Sequence, residues 1–402
     1  MNVRKEDLIY VGIDLHKETH TAVILDCWNT KLGEITFANT PAEFPKLVRK
    51  VKKYCDIGKE AVYGLENAYG YGRSLAVWLL AKNLIVKDVN TSLSHRQAKH
   101  RAMYRKSDSD DAQAIALATI NMLEELPDAC PNDAYWSLGQ LVNRRDNIMR
   151  HIIRLRNQLH EQVCVAYPSY KQFFTDIGSK TALHFWNEYP SEKYLKGKTV
   201  EDLKEEMIVI SHNQCSTKRC QKILETIEND KTEEKEYQDS RDVITRGIVK
   251  DLAHYYNQQK EIDQELEKMY FSLGFTLTTI PGVSITTAVK LLAEIGDINR
   301  FGSAAKLAQF AGIAPLKLSS AGKGKNKASK QGNRRLQATL YFLSIQMIQT
   351  SSKGTPRNPI FREYYDKRIA EGKNPKQVLI YISRRLVNII YGMLKNQTEY
   401  RM

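Results

Sequence analysis

The segment Leu8-Ile-Tyr-Val-Gly-Ile-Asp-Leu15 decides how the first third of the chain folds. It is short and mostly apolar, with β-branched and aromatic side chains, and this pattern predicts a buried strand. Two further strand-like segments follow, Thr21 to Asp26 and Gly33 to Asn39, with polar turns between them. The short turns predict that the three strands pair as successive hairpins.

Helix-like and strand-like segments alternate after these strands. Pro41 opens a helical stretch to Tyr54, which precedes a strand from Ala61 to Glu66, a helix from Ser74 to Lys82 and a strand from Leu84 to Val89. A basic stretch then leads to a helix from Asp108 to Leu123. Hairpin-linked strands followed by helical crossovers predict a mixed sheet covered by helices. This is the element order of the ribonuclease H-like fold, with a generic α/β domain as the alternative.

The alternation of strand-like and helix-like segments ends near Pro127. Apolar residues recur every three or four positions from Ile148 to Val163 and from Ile244 to Met269, which predicts two long amphipathic helices. They pair either as a hairpin or as coiled coils between subunits. Residues 166–240 between them are charged, and we expect them to be irregular. From Leu273 onward we expect mostly short helices joined by glycine-rich segments.

These changes predict three domains. Residues 1–128 form an α/β domain, residues 129–272 a helical, coiled-coil linker and oligomerisation region, and residues 273–402 a mainly α-helical domain.

The composition favours a polyanionic partner. The 402 residues include 60 Lys and Arg against 46 Asp and Glu, a net charge of +14. This surplus indicates nucleic acid first and an anionic membrane second.

No apolar run approaches the ~20 residues that span a bilayer, and the N-terminus lacks the apolar core of a secretory signal. We therefore expect a cytoplasmic protein. The P-loop pattern GxxxxGK[ST] is missing from the sequence, which argues against ATP-driven chemistry.

Four acidic residues occupy positions that this element order brings together. Asp14 lies inside the first strand, Glu66 ends the fourth strand, and Asp108 and Asp111 share one face of the following helix. An acid in an apolar run usually has a cation or a hydrogen-bond donor as its partner. The ordinary alternatives are solvent-facing acids at strand ends and an N-cap role for Asp108. We expect Asp110 to be solvated.

These four carboxylates meet at one edge of the predicted sheet, where they would repel one another unless divalent cations neutralised them. Two Mg²⁺ ions about 3.5–4 Å apart activate a nucleophile and stabilise the leaving oxygen in phosphodiester chemistry. The sequence therefore predicts a two-ion magnesium site.

Two basic segments are candidate contacts to nucleic acid. Val89 to Ser107 contains no acid and leads into the acidic helix, and Leu316 to Leu336 has seven basic residues and no acid. Such side chains hold phosphates, and a solvated basic face is the alternative. The candidates are Arg96, Lys99, Arg101, Arg105, Lys106, Lys323, Lys325, Lys327, Lys330, Arg334 and Arg335.

Two features of the C-terminal third remain open from chemistry alone. The segment Thr279 to Ala288 is typical of a helix-hairpin-helix in which a glycine turn, here Gly282, points backbone N–H groups at phosphate. A plain helix turn is the alternative. Ser319 and Ser320 lie in a basic, glycine-rich loop. Serines in such a loop usually cap turns or touch phosphates, because a serine nucleophile needs an activating base or metal.

Several of these segments together resemble the DEDD transposases of the insertion-sequence one-hundred-and-ten family, which includes Piv-type DNA invertases. The resemblance covers the chain except for residues 166–240. The matching segments are Val11-Gly-Ile-Asp-Leu-His-Lys17, Gly64-Leu-Glu66, Lys106-Ser-Asp-Ser-Asp-Asp-Ala112, Ile280-Pro-Gly to Leu336, Tyr364-Tyr-Asp-Lys-Arg368 and Val387-Asn-Ile-Ile-Tyr-Gly-Met-Leu394.

The resemblance implies a RuvC-like, ribonuclease H-like domain at residues 1–128, whose quartet Asp14, Glu66, Asp108 and Asp111 binds Mg²⁺. It implies a C-terminal transposase domain whose serine attacks DNA and forms a covalent phosphoserine intermediate. By its distance from Pro315 this serine is Ser320, with Ser319 second.

The resemblance also implies the partners: donor and target DNA, a non-coding bridge RNA that pairs with both, and further copies of the chain in a dimer or tetramer. The protein would act in the bacterial cytoplasm, at the nucleoid when bound to DNA, and would have no membrane partner. Transposition and inversion share this chemistry, and the sequence does not separate them.

Two other functions remain possible. A metal-only nuclease that resolves Holliday junctions needs the acidic quartet but leaves the serine segment unexplained. A non-catalytic nucleic-acid-binding protein needs the basic segments but treats the quartet as coincidence.

Overall fold

The structure is a computed structural model. It describes residues 4–55, 58–66, 70–100, 107–129, 131, 133–211, 216–230, 235–314, 316–320, 323–327 and 332–401. The chain divides into two compact units. The first comprises residues 1–137, 276–283 and 291–402, and the second comprises residues 138–275 and 284–290.

The N-terminal part of the first unit contains the predicted mixed sheet. The strands are β1 (Leu8–Leu15), β2 (Thr19–Leu25), β3 (Lys31–Ala38), β4 (Glu60–Glu66) and β5 (Ile85–Val89). Their spatial order is β3-β2-β1-β4-β5. β1 pairs antiparallel with β2, and β2 with β3, whereas β4 runs parallel to both β1 and β5.

Four helices accompany this sheet: α1 (Phe44–Lys52), α2 (Arg73–Leu80), α3 (Thr91–His100) and α4 (Asp108–Asn121). Two differ from the prediction. α1 begins at Phe44 and not at Pro41, because residues 41–43 form a turn. α3 was expected only as a basic stretch, since its sequence lacks the apolar repeat that marks an amphipathic helix.

Different helices cover the two faces of the sheet. Ile9, Val11 and Ile13 of β1 belong to the core shared with α1 and α2. Leu8 and Tyr10 of β1 belong to the core shared with α4. Alternation along a strand produces this division, because successive side chains point to opposite faces.

Two paired glycines let α4 lie unusually close to the sheet. Gly12 of β1 pairs with Gly64 of β4. A Cβ at Gly12 would lie 2.1 Å from the carbonyl oxygen of Ala112 and 2.2 Å from the amide nitrogen of Ala116. A Cβ at Gly64 would lie 2.1 Å from Thr119 Oγ1. The backbone of α4 thus contacts β1 at Gly12, where only glycine fits, and the Thr119 side chain of α4 contacts β4 at Gly64.

The second unit is built on two long helices. They are α5 (Asp133–Ala166), whose first residues belong to the first unit, and α9 (Gln238–Ser272). Within this unit they run antiparallel. Arg145 forms an ion pair with Asp263, and the His151 ring stacks on Tyr255 at 5.1 Å between centroids. Both long helices are confirmed, and of the two predicted arrangements the structure has the hairpin.

The expectation that residues 166–240 are irregular is wrong. They include α6 (Lys180–Glu188), α7 (Val200–Ser211) and α8 (Thr217–Asp230). Their aromatic side chains form a core with α5 and α9 in which Phe173, Phe185 and Trp186 are almost fully buried. Sequence periodicity missed these elements because the helices are short and the aromatic residues also come from turns.

The C-terminal part contains α10 (Ile285–Ile295), α11 (Ala304–Phe310), α12 (Arg334–Ile348), α13 (Pro359–Ala370) and α14 (Pro375–Asn396). The 22-residue α14 exceeds the short helices expected here. It contacts α12 through a buried hydrogen bond between Ser344 Oγ and Ser383 Oγ, 2.8 Å apart. Among the described helices none is both long and apolar enough to cross a membrane.

The predicted glycine-rich loop contains a hairpin. β6 (Leu316–Ser320) pairs antiparallel with β7 (Lys323–Lys327). The sequence did not indicate strands here because lysine and glycine have low β propensity. Before α10, Gly282 has a φ of +95°, a left-handed conformation that favours glycine. A turn followed by a helix is thus present, and the helix-hairpin-helix stays a prediction.

Candidate active site

Asp14 and Glu66 lie at neighbouring positions on parallel strands. Ile13 of β1 pairs with Leu65 of β4, so the next residues, Asp14 and Glu66, lie side by side at the carboxyl ends of the two strands. Each acid follows its strand's glycine by two residues, and alternation places both on the sheet face that α4 covers. The spacing Gly-x-acid therefore combines close helix packing with an acid at the strand end.

The first turn of α4 supplies the other two acids. Ser107 is the N-cap: its Oγ accepts the Asp110 N–H at 3.2 Å and donates to the Asp110 carboxylate at 2.6 Å. The N-cap hydroxyl thus satisfies one free N–H of the first helical turn and also binds the Asp110 side chain. The alternative that Asp108 is the N-cap is therefore wrong. Asp110, expected to be solvated, is partly exposed, and its carboxylate accepts from the N-cap hydroxyl at the start of the helix.

A histidine brings Asp14 and Asp108 together. His16 Nε2 lies 3.0 Å from Asp14 Oδ2 and 3.5 Å from Asp108 Oδ1. One ligand atom from each of these three residues lies within 4.8 Å of the others, so the group could hold a metal ion. Sequence reasoning missed His16 as a site residue. Its position two residues after Asp14 was the available signal.

Asp14 lies in an unfavourable environment for its own negative charge. Burial raises its pKa above the usual range of aspartate, His16 lowers it, and the nearby carboxylates Asp111 and Asp108 raise it again, for a net increase. The Asp14 side chain is 18% exposed and that of Asp108 is 60% exposed. A cation bound beside Asp14 would relieve this cost, which is the electrostatic signature of a metal site.

Glu66 is held by a residue that the sequence did not indicate. Ser94 of α3 is buried, and its hydroxyl donates to Glu66 Oε2 at 2.7 Å. A hydrogen bond of this kind fixes the orientation of a carboxylate ligand. On the outer side of α4, Ser109 Oγ donates to Glu34 Oε2 at 2.7 Å, which ties the acidic turn to β3.

We expect Ser94→Ala to weaken divalent-metal binding by about tenfold, the lower end for loss of a partner that orients a ligand. The unfolding temperature should change little, because the hydroxyl also contacts only its own helix turn, at Thr91 O. Titration of Mn²⁺ into both proteins measures the effect. Unchanged affinity would show that Glu66 needs no orientation by Ser94. Ser109→Ala, which removes the hydrogen bonds of Ser109 with Glu34 and Lys31 on the outer side of α4, is the matched control.

The predicted basic residues are only partly described. Arg96 and Lys99 lie on α3, and Lys323, Lys325 and Lys327 lie on β7. Arg101, Arg105, Lys106 and Lys330 lie outside the described residues. Arg334 and Arg335 open α12, where Arg335 pairs with Glu294 at 3.4 Å and Arg334 donates to Gln337. Asn333 caps this helix and also donates to Glu294 Oε2.

Ser319 and Ser320 belong to β6, and not to a loop. Ser320 is the last residue of this strand and pairs with Lys323, the first residue of β7. The connecting residues 321–322 lie outside the described residues. The backbone thus places Ser320 at the turn end of a basic hairpin.

Comparison with known families identifies the class of protein. The family model of DEDD transposases of IS110, described as "Transposase", matches residues 11–168, which include all four acids. The protein is therefore of the transposase class, enzymes of DNA transposition and recombination. A second model, described as "Transposase IS116/IS110/IS902 family", matches residues 275–366. The two models together match more than half of the chain, which belongs to this family of insertion-sequence transposases.

Individual relatives agree with this assignment. The chain is 24% identical to an uncharacterized 44.8 kDa protein of insertion element IS116 of Streptomyces clavuligerus, over 98% of this chain and 96% of that protein. It is 24% identical to a pilin gene-inverting protein of Moraxella bovis, over 97% of each. An IS110 protein of Streptomyces coelicolor is 28% identical over 40% of this chain and 38% of its own.

Proposed function

We propose that the protein is a divalent-metal-dependent DNA transposase or recombinase that cuts and rejoins strands through a covalent phosphoserine intermediate at Ser320. The observation that carries the metal-dependent part is the cluster of Asp14, His16 and Asp108 beside Glu66 at the carboxyl ends of β1 and β4. The strand order β3-β2-β1-β4-β5 supports a RuvC-like, ribonuclease H-like domain around it. The match of residues 275–366 to the family supports the serine part.

The residues present fit a hard divalent cation. Asp14, Glu66, Asp108 and Asp111 supply carboxylate oxygens, the ligands that Mg²⁺ prefers. Burial, and after it the charges of Asp111 and Asp108, raises the pKa of Asp14, and a bound cation would offset this cost. When bound, Mg²⁺ supplies Lewis-acid stabilisation of charge on the phosphate, with two ions in the proposed arrangement. Ser94 orients Glu66, and the hydrogen bonds between Ser107 and Asp110 fix the helix turn that presents Asp108 and Asp111.

The proposed serine step conserves the phosphodiester bond. Ser320 Oγ attacks the scissile phosphorus and gives its proton to solvent water. A P–Oγ bond forms, the P–O3′ bond breaks, and the departing 3′ oxygen takes a proton from water and leaves as a 3′-hydroxyl. The 3′-hydroxyl of the partner strand then attacks the phosphoserine and gives its proton to water; a new P–O3′ bond forms, the P–Oγ bond breaks, and Ser320 Oγ regains a proton from water. Because bond energy is retained in the protein–DNA ester, the exchange needs no ATP.

The proposed partners are donor and target DNA, a bridge RNA and further copies of the chain. Base pairing would supply specificity while basic side chains hold the backbone. The candidate contacts are Arg96, Lys99, Arg101, Arg105, Lys106, Gly282, Lys323, Lys325, Lys327, Lys330, Arg334 and Arg335. Exposed Val243 and Ile244 on α9 support contacts between copies.

The test is to trap a denaturant-resistant protein–DNA adduct. Protein with its co-purified RNA is incubated with Mg²⁺ and DNA that spans the element junction, and Ser320→Ala and Ser319→Ala are compared with wild type. We expect an adduct in wild type and Ser319→Ala and none in Ser320→Ala.

The other outcomes are equally informative. An adduct that persists in Ser320→Ala but not in Ser319→Ala would move the nucleophile to Ser319. DNA cleavage without any adduct would contradict the serine mechanism and favour a metal-only nuclease. Binding without cleavage under all metal conditions would favour a non-catalytic nucleic-acid-binding protein.

A further inference from the structure

We propose that His16 Nε2 is a direct ligand of the divalent ion in this site and makes the site prefer Mn²⁺ to Mg²⁺. The inference rests on the proposed function, because it adds a nitrogen ligand to the four carboxylates. His16 comes from the turn after β1, so the first strand and its turn supply two ligands, Asp14 and His16.

The separations match ligands that share one ion. Ligand atoms about 2.1 Å from an octahedral ion lie about 3.0 Å apart when adjacent and about 4.2 Å apart when opposite. His16 Nε2 lies 3.0 Å from Asp14 Oδ2 and 3.5 Å from Asp108 Oδ1, with all three atoms within 4.8 Å of one another. The 3.0 Å separation equals that of adjacent ligands, and the 3.5 Å separation lies between the adjacent and opposite values, so a shift of the side chains would let the three atoms share one ion.

The backbone holds His16 in this position. Its N–H donates to Thr19 O at 3.2 Å, which closes the turn between β1 and β2. Its side chain is 51% exposed, whereas that of Asp14 is 18% exposed. The imidazole therefore approaches the carboxylates from the solvent side, where an arriving hydrated ion would also enter.

A nitrogen ligand changes which ion the site prefers. Mg²⁺ binds oxygen ligands and keeps strict octahedral geometry, whereas imidazole suits transition metals better. A site with carboxylates and one imidazole should bind Mn²⁺ more tightly than Mg²⁺. Replacing the imidazole with an amide oxygen should reduce the difference between the affinities for Mn²⁺ and Mg²⁺.

The test measures metal binding directly. Mn²⁺ is titrated into the full-length protein and followed by electron paramagnetic resonance, and electron spin-echo modulation then reports nitrogen bound to the ion. We expect a ¹⁴N coupling in wild type that is replaced by a ¹⁵N coupling when the histidines are labelled with ¹⁵N. In His16→Gln the coupling should disappear, and the Mn²⁺ affinity should fall about tenfold or more, with a smaller change for Mg²⁺.

The controls separate this inference from the proposed function. His151→Gln, which removes a ring stacked on Tyr255 in the second unit, should leave both coupling and affinity unchanged. If Mn²⁺ bound wild type without a nitrogen coupling, and bound His16→Gln with equal affinity, His16 would not be a ligand. The carboxylate site would remain intact. Wild type that binds no divalent ion would instead overturn the proposed metal site itself. The ¹⁵N measurement uses wild-type protein, so it does not depend on the variant folding.

Discussion

Replacing Asp14 with asparagine is expected to reduce DNA strand cleavage by about a thousandfold, equivalent to roughly 4 kcal/mol of transition-state stabilisation. Asp14 is the least exposed of the three clustered groups and lies within reach of both His16 and Asp108. Its amide would keep the shape of the side chain and lose the charge that binds a cation. Single-turnover cleavage of junction DNA in saturating Mg²⁺ measures the effect.

The same variant should not be less stable than wild type near neutral pH. Because the pKa of Asp14 is raised in the folded protein, its charged form is less favourable there than in the unfolded chain. This cost is fully present above the raised pKa and is lost as the pH falls through the ordinary pKa of aspartate. The unfolding temperature of Asp14→Asn in the absence of metal should therefore equal or exceed that of wild type at pH 7, with the difference narrowing in acid.

Asp110→Ala is the matched control for the acidic cluster. It removes the carboxylate that accepts from the Ser107 hydroxyl and a negative charge at the helix N-terminus, and should cost about 0.5–1 kcal/mol of folding free energy, with cleavage retained within a few-fold. If Asp14→Asn cleaved DNA within tenfold of wild type, the proposed metal site would be wrong. If Asp110→Ala abolished cleavage while staying folded, Asp110 would belong to the site.

The substitution Gly12→Ala is expected to destabilise the first unit by about 3 kcal/mol, the upper part of the range for overpacked cores. The new Cβ would lie 2.1 Å from Ala112 O and 2.2 Å from Ala116 N. These are backbone atoms of α4, so no side-chain rotation relieves the clash. The helix must move away from β1, which also withdraws Asp108 from Asp14. Chemical denaturation measures the loss, and Mn²⁺ affinity should fall with it.

Two other glycines calibrate this result. Gly392 lies inside α14, where a Cβ would meet no neighbouring atom within 4 Å. Gly392→Ala should therefore stabilise the protein by roughly 0.5–1 kcal/mol through helix propensity. Gly64→Ala meets the side chain of Thr119 and should be rescued in part by Thr119→Ala. A Gly12→Ala protein as stable as wild type would show that α4 does not pack as closely as the structure has it.

The sequence determined the elements of the N-terminal sheet because short apolar runs rich in β-branched residues are typical of buried strands. The run from Leu8 to Leu15 alternates between two faces whatever covers them, and the 3.6-residue repeat marked both long helices in the same way. Helix α3, the helices between residues 166 and 240, and the β6–β7 hairpin lacked a period or had unfavourable propensity. Helices α3 and α6 instead pack against elements later in the chain, α4 and α9, and the β6–β7 hairpin forms from its two neighbouring strands.

For the candidate site, the sequence indicated Asp14, Glu66, Asp108 and Asp111, because strand ends and helix starts are positions that local pattern locates. Packing decides which residues at the start of α4 cap the helix and which face the strands. Ser107 is the N-cap and binds Asp110. Gly12 and Gly64 allow α4 to lie close to the strands, which places Asp108 beside His16. Ser94 reaches Glu66, and His16 reaches Asp108, through contacts between residues far apart in the chain. Only the tertiary structure brings these residues together, since no local pattern encodes the distance between a helix and a strand.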